Sequence, residues 1–167
     1  MSIELTGRER VRADAAARGV EIEFVDRGPA SSLPEAAANL GVEPRNIVKT
    51  LVAKAKHTQT TTEYSYVIAL IPGDKAVDWA KLRRLAGMKK MSLAAPEEGF
   101  EASGYMPGTI NPFGLRTDLP IYADESVTGR IAMGAGEPDL NLFVDAEQLF
   151  TAYGVITGDI SKDPHTV

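Results

Sequence analysis

The chain has 167 residues, of which 44% are hydrophobic and 25% are charged, a composition typical of a globular domain and unlike that of a disordered chain. The formal net charge of −5 argues against a general nucleic-acid binder, because the affinity of such a protein rests on a basic surface. Cysteine is absent, which excludes disulfides, thiolate nucleophiles and cysteine-ligated zinc.

The sequence also lacks targeting and membrane signals. No apolar run approaches the ~20 residues that a membrane-spanning helix needs, and the N-terminal segment mixes acids and arginines without the apolar core of a signal peptide. We therefore expect a cytoplasmic protein without a membrane partner. No linker or internal repeat divides the chain, so we expect a single domain over residues 1–167.

The first part of the chain predicts two helices and two strands. An Arg- and Ala-rich helix at 7–18 precedes a strand at 21–26. Ser32, an early proline at 34 and Glu35 together have the form of a capping box and open a helix at 34–40. The next strand, 46–55, contains Lys49 in its middle, on the same face as Ile47 and Leu51.

The second part predicts a further mixture of strands, helices and one long irregular segment. In order these are a strand at 62–71, a helix at 79–86 capped by Asp78, a strand at 89–94, a helix at 96–103, an irregular segment at 105–119, strands at 120–124, 130–136 and 140–145, a helix at 146–153 capped by Asp145, and a strand at 155–160. Because this order lacks the regular alternation of a doubly wound fold, we expect a mixed α/β fold. Its sheet should be strongly curved or closed, with helices packed around it.

Several common reaction types lack their residues. His57 and His165 fall in a predicted loop tip and in the terminal tail, without partners at metal-ligand spacing, so we expect no metal site. There is no GxSxG motif, and the glycines at 134 and 136 are followed by Glu-Pro-Asp, which breaks the dinucleotide pattern GxGxxG. An enzyme with this sequence would work without a conventional nucleophile, metal or redox cofactor.

Three features remain as candidates for a site. Lys49 interrupts an apolar strand face; it either reaches the sheet edge or a carboxylate, or it faces a pocket that takes an anionic or carbonyl-bearing ligand. The Gly- and Pro-rich segment 103–114 is either a crossover or a rigid loop that lines a pocket. The segment MGAGEPD, 133–139, is either a tight turn or a cradle of backbone N–H groups beside Asp139.

Together these features resemble one family. The chain has a VKTL strand at 48–51, the loop GYMPGTINPFG at 104–114, and a glycine-containing turn followed by a D-x-x-x-L helix start at 145–149, in this order. It is similar, over roughly 29–157, to the YbaK/prolyl-tRNA-editing family, the free-standing relatives of the insertion domain of bacterial prolyl-tRNA synthetases. The resemblance implies a mixed α/β fold with a barrel-like sheet and surrounding helices. It also implies hydrolysis of mischarged aminoacyl-tRNA carrying a small amino acid of the Cys or Ala type, with tRNA-Pro the expected tRNA.

The resemblance also implies the site. Lys49 matches the family's key lysine, and Asp139 lies in its second loop; both are expected to be catalytic, with Lys49 holding the 3′-terminal nucleotide. The expected substrate-binding residues lie in the two loops and on nearby apolar positions: Gly108, Thr109, Gly134, Ala135, Gly136, Leu51, Met106, Phe113 and Met133. Two departures stand out. The family's later histidine is missing, which places an Ala-selective mechanism in doubt, and Gly108-Thr109 replaces a pair of glycines.

The expected partner is the acceptor end of tRNA, with no DNA and no cofactor, and the sequence leaves open whether a synthetase is recruited. Two other functions remain: a non-catalytic module that binds the tRNA acceptor or a synthetase, and a hydrolase of small aminoacyl esters without an RNA partner. Two basic clusters are either solvated helix faces or local patches for a partner. They comprise Lys81, Arg83, Arg84, Lys89 and Lys90, and Arg8, Arg10 and Arg12.

Overall fold

The computed structural model describes residues 5–164, which form five α-helices and ten β-strands. The helices are α1 (Gly7–Ala17), α2 (Leu33–Leu40), α3 (Trp79–Ala86), α4 (Pro96–Ser103) and α5 (Ala146–Tyr153). The strands are β1 (Ile22–Asp26), β2 (Val48–Lys56), β3 (Ser65–Pro72), β4 (Ala76–Val77), β5 (Lys90–Leu93), β6 (Ile121–Asp124), β7 (Arg130–Gly134), β8 (Leu140–Asp145), β9 (Ile156–Gly158) and β10 (Ser161–Lys162). His165, one of the two histidines considered above, lies outside the described residues.

The helix ends follow the predicted caps. The side chains of Asp78 and Asp145 accept hydrogen bonds from backbone N–H groups three residues later, at 3.1 and 2.9 Å. The box at α2 is only half formed, because Ser32 accepts from the backbone of Glu35 whereas the Glu35 carboxylate accepts from the N–H and hydroxyl of Ser31. These caps satisfy backbone groups that a helix start leaves unpaired.

The strands form three sheets. The largest has the order β5-β2-β3-β6-β9, in which β2 is antiparallel to both neighbours and the β3–β6 and β6–β9 pairs are parallel. An antiparallel sheet has the order β1-β8-β7, and β4 pairs with β10. The predicted mixed α/β fold is therefore confirmed.

The closed, barrel-like sheet is not confirmed within residues 5–164. Between the two larger sheets, the main-chain pairing consists of one isolated parallel bridge, which joins Ile47 to Ala132. On the same edge of β2, pairing with β5 begins only at Ala53. Residues 48–51 of β2 thus pair with β3 on one edge and have no partner strand on the other. We call this interruption the β2 gap.

The core has two parts on opposite faces of β2. Val48 and Val52 belong to the larger apolar cluster, which lies between the two larger sheets and their helices. Leu51 and Ala53 face a smaller cluster that includes Leu82 of α3. Lys49 shares the face of Leu51, since side chains alternate along a strand. Among the described residues, no helix is both long and apolar enough to cross a membrane.

Candidate functional site

A cavity of about 280 Å³ opens at the β2 gap. Its wall consists of the start of β2, the Gly- and Pro-rich loop, the end of β7 and two polar side chains from β8 and from the segment after β1. The lining residues are Arg27, Ala36, Ile47, Val48, Lys49, Thr50, Leu51, Gly108, Ile110, Gly134 and Asn141. Because residues 48–51 lack a partner strand here, unpaired main-chain groups of β2 are available at the cavity.

Lys49 is half-buried at this cavity, and its ammonium donates a hydrogen bond to the backbone carbonyl of Lys75. Burial lowers the pKa of Lys49, and the negative charge of Asp74 opposes that shift. No carboxylate of the described residues lies within ion-pair distance of its nitrogen. The lysine therefore does not end in a salt bridge, which excludes a paired carboxylate as the reason for a lysine at this position.

Thr50 provides a buried hydroxyl without a partner. The residue is 9% exposed and lines the cavity. Its Oγ1 is the one buried side-chain polar atom among residues 5–164 for which no hydrogen bond is formed. A buried polar group without a partner is costly, and this one belongs to a residue of the cavity wall.

Arg27 and Asn141 form a polar pair that the sequence analysis missed. The Arg27 Nε donates to Asn141 Oδ1 at 2.8 Å, and its Nη2 lies 3.5 Å from the Asp139 carboxylate. The backbone N–H of Arg27 also donates to the Asp139 carbonyl, at 3.0 Å. Asp139 itself has a φ of 61°, a left-handed conformation that aspartate tolerates better than most residues. Arg27 thus adds a second cation to the cavity and fixes the turn at Asp139.

Glycines allow the two loops to approach each other. A Cβ at Gly134 would lie 3.0 Å from the Gly108 carbonyl oxygen and 3.4 Å from that of Ile110. The N–H of Gly136 donates to the Thr109 carbonyl at 3.0 Å. Main chain therefore packs directly on main chain at this side of the cavity, which a larger residue at 134 would prevent.

Helix α1 fixes the Gly- and Pro-rich loop from behind. The Asp14 carboxylate accepts from the backbone N–H of Gly114 at 2.8 Å, and Arg10 donates to the Gly114 carbonyl. Inside the loop, the Tyr105 hydroxyl donates to the Phe113 carbonyl, and burial raises the pKa of that tyrosine to about 12. The hydroxyl therefore stays protonated as a donor at neutral pH. Polar contacts thus attach the loop to α1 and to itself, and its residues Gly108 and Ile110 line the cavity.

The structure brings some of the predicted site residues together and separates others. Lys49, Leu51, Gly108 and Gly134 line the cavity. The other predicted residues do not line it. Thr109 and Ala135 are buried, and Gly136 bonds to the loop. Asp139 lies half-exposed beside Arg27, and Met106 is 52% exposed, whereas Phe113 and Met133 are fully buried in the larger core cluster. The geometry therefore places Met106, Phe113 and Met133 away from the cavity surface.

Comparison with known proteins gives the family. The family described as the aminoacyl-tRNA editing domain matches residues 27–152, about three quarters of the chain. The chain belongs to this family. This confirms the resemblance that the three motifs indicated.

Individual relatives agree with this assignment. A proline–tRNA ligase of Bacillus velezensis is 30% identical over 151 residues, which cover 85% of this chain and 26% of the ligase. The chain thus spans about a quarter of the length of the ligases it matches. EbsC of Enterococcus faecalis, named as a candidate Cys-tRNA(Pro)/Cys-tRNA(Cys) deacylase, is 28% identical over 133 residues, covering 78% of this chain and 77% of that protein.

A solved structure is similar over the whole domain. It is described as a candidate trans-editing enzyme for prolyl-tRNA synthetase, with a TM-score of 0.79 and 27% identity, and the match covers 96% of this chain and 99% of that one. The similarity therefore extends across all three sheets and is not limited to the motifs.

Proposed function

We propose that this protein is a trans-editing hydrolase that removes a small, wrongly attached amino acid from tRNA, with cysteinyl-tRNA-Pro as the first candidate substrate. The observation that supports the proposal most is the cavity at the β2 gap, where Lys49, the unpaired Thr50 hydroxyl and the backbone of two glycine loops meet. The names of relatives support the same class of reaction.

The reaction needs little chemistry from side chains. An aminoacyl ester is activated, so a water molecule that attacks its carbonyl carbon forms an oxyanion, and the bond to the ribose oxygen then breaks as that oxygen takes up a proton. Backbone N–H groups at the unpaired edge of β2 or in the glycine loops would stabilise the oxyanion. The neighbouring ribose hydroxyl or the substrate's own side chain would assist proton transfer. Holding the ester and the water in place supplies much of the rate.

Lys49 and Arg27 give the cavity its charge. In this proposal Lys49 exchanges its bond to the Lys75 carbonyl for phosphate or ribose oxygens of the terminal nucleotide. Arg27 is fixed by Asn141 and lies beside Asp139, so it orients the Asp139 carboxylate. Asp139 then binds the substrate amine or accepts a proton.

The size of the cavity supports a small amino acid. About 280 Å³ must hold the aminoacyl group and part of the terminal ribose. The walls near Leu51 and Ile110 are apolar, which favours a small uncharged side chain. Because the later histidine of synthetase insertion domains is missing, we propose cysteine ahead of alanine as the amino acid removed.

The test is a deacylation series with the purified protein on tRNA charged with Cys, Ala, Ser, Pro and Leu. We expect cleavage of the Cys ester and weaker cleavage of the other small amino acids, because one methylene changes specificity by only ~1–3 kcal/mol. The Leu ester should not be cleaved, because its side chain is too large for the cavity. Binding of tRNA without any deacylation would instead indicate the non-catalytic module. Efficient cleavage of the Leu ester would contradict selection by size.

A further inference from the structure

A second groove lies at the other end of β2, and its charge is opposite to that of the chain as a whole. The groove has a volume of about 550 Å³ and five cationic side chains in its wall, although the chain has a net charge of −5. The lining residues are Lys54, Ala55, Lys56, Gln59, Tyr64, Arg83, Lys89, Lys90, Met91 and Ser92. We call it the basic groove.

Most of these cations are not neutralised by a carboxylate of residues 5–164. Lys54 forms an ion pair with Glu98 at 2.6 Å. Of the other four, none has a carboxylate within 4.0 Å among residues 5–164, and Lys89 and Lys90 are exposed. Arg83 donates to the backbone carbonyl of Lys89 at 3.5 Å, a contact that leaves its charge unbalanced. Like charges gathered in one groove repel one another, and an anionic partner would relieve that repulsion.

Tyr64 gives the groove an aromatic surface. The residue is 46% exposed, and the ammonium groups of Lys54 and Lys56 lie 3.9 and 4.9 Å from its ring centroid. An exposed aromatic ring among cations is the combination that stacks on bases while the cations contact phosphates. An acidic protein segment would use the cations but has no comparable use for the ring, so the observations favour nucleic acid.

Strand β2 links the basic groove to the cavity. Lys49 lies at the cavity, and Lys54 and Lys56 lie five and seven residues further along the same strand, on the face that Val48 and Thr50 of the cavity wall share. At about 3.3 Å per residue the two sites are separated by roughly 17–23 Å. Only a substrate that extends well beyond an aminoacyl ester and its terminal nucleoside reaches both.

We propose that the basic groove is a docking surface for the sugar-phosphate backbone of RNA, which contacts the substrate several nucleotides away from the ester in the cavity. This inference rests on the proposed function and extends it. Contacts to phosphates position a nucleic acid without reading its sequence. The groove therefore contributes affinity and orientation, and the choice of amino acid stays with the cavity.

The test compares two double variants that lose the same charge. Lys89→Gln/Lys90→Gln removes two exposed cations from the basic groove. Arg12→Gln/Arg130→Gln is the control, because both arginines are exposed and pair with carboxylates, Glu9 and Glu23, away from the groove. Thermal melting verifies that each variant is folded, and Lys56→Gln/Arg83→Gln repeats the experiment with two other cations of the groove.

The first readout is the affinity for uncharged tRNA-Pro as a function of salt. Each phosphate contact contributes about 0.7–0.9 to the log–log slope, so either groove variant should lower the slope by about 1.4–1.8 and the affinity at 0.1 M salt by roughly 25- to 60-fold. The control should change neither quantity. Unchanged slopes in both groove variants would overturn the proposal and leave an acidic protein as the better partner.

The second readout separates this inference from the proposed function. On charged tRNA the groove variants should lose kcat/KM, whereas hydrolysis of a 3′-aminoacyl-adenosine, which is too short to reach the groove, should equal that of the unmodified protein. Equal losses on both substrates would refute a docking role. If the unmodified protein cleaves neither substrate, the proposed function fails, and the salt dependence of tRNA binding still decides whether the groove binds RNA.

Discussion

Gly134→Ala tests whether the close approach of the two glycine loops matters for the cavity. Gly134 does not have a positive φ, so alanine causes no backbone strain of its own. The new Cβ would lie 3.0 Å from the Gly108 carbonyl oxygen, and ordinary contact begins at 3.4 Å. Since the opposing atoms are main chain, the loop must move by about 0.4 Å.

This displacement gives the expected magnitudes. Overpacking of this kind costs about 1–3 kcal/mol, and we expect the lower end because the loop is at the surface on one side. A loss of about 1 kcal/mol lowers the melting temperature of a domain of this size by about 2–4 °C. If a misplacement of 1 Å costs roughly 10²-fold in rate, then 0.4 Å costs roughly sixfold.

The assay is single-turnover deacylation of Cys-tRNA-Pro beside a thermal melt, with Gly99→Ala as the matched control. Gly99 lies within α4, and there the same methyl group would meet Val52 of β2 at 3.6 Å, an ordinary contact. We expect Gly99→Ala to keep its rate and to gain roughly 0.5–1 kcal/mol of stability, because alanine is the better helix former. A Gly134→Ala protein that melts lower but reacts at the full rate would refute the link between the loop position and the reaction.

Three further substitutions address the candidate site, and a fourth addresses the core behind it. Thr50→Val removes the hydroxyl that has no partner, so we expect a melting temperature that is unchanged or higher, together with slower deacylation; full activity would show that substrate does not use this hydroxyl. Asp139→Asn keeps the left-handed turn but loses the charge beside Arg27, so kcat should fall more than substrate affinity, and unchanged turnover would assign Asp139 a purely structural role. Leu51→Ala should widen the cavity and admit a larger aminoacyl group in the deacylation series. Met133→Ala should instead cost about 2–5 kcal/mol of stability without changing selectivity, because that side chain is fully buried in the core.

The sequence predicted the elements of the fold better than their assembly. Alternating apolar residues and capping side chains such as Asp78 and Asp145 are local signals, and the strands and helices they predicted are present. The two-residue strands β4 and β10 are too short to give a periodic pattern and were missed. Sheet closure depends on whether β2 and β7 continue to pair beyond the bridge at Ile47, which no local pattern decides.

The candidate site was predicted unevenly for the same reason. Lys49 stood out because a lysine in an apolar strand is unusual, and the glycines stood out by composition. Arg27 follows a strand and looks like a solvated end residue, and Asn141 looks like an ordinary strand position; only the contact across β1 and β8 makes them a pair. Both faces of β7 are buried, so its sequence could not show that Met133 faces the core and not the cavity.

The most direct measurement for the central claim is the single-turnover rate of Cys-tRNA-Pro deacylation by the unmodified protein, Lys49→Met and Lys75→Met. Lys75→Met removes an exposed cation near the site but keeps the backbone carbonyl that Lys49 contacts. We predict that Lys49→Met loses about 10²-fold in rate, the loss typical of an ester misplaced by about 1 Å, because Lys49 positions the terminal nucleotide; Lys75→Met should stay within a few-fold of the unmodified protein. A folded Lys49→Met protein that deacylates at the unmodified rate would contradict the account.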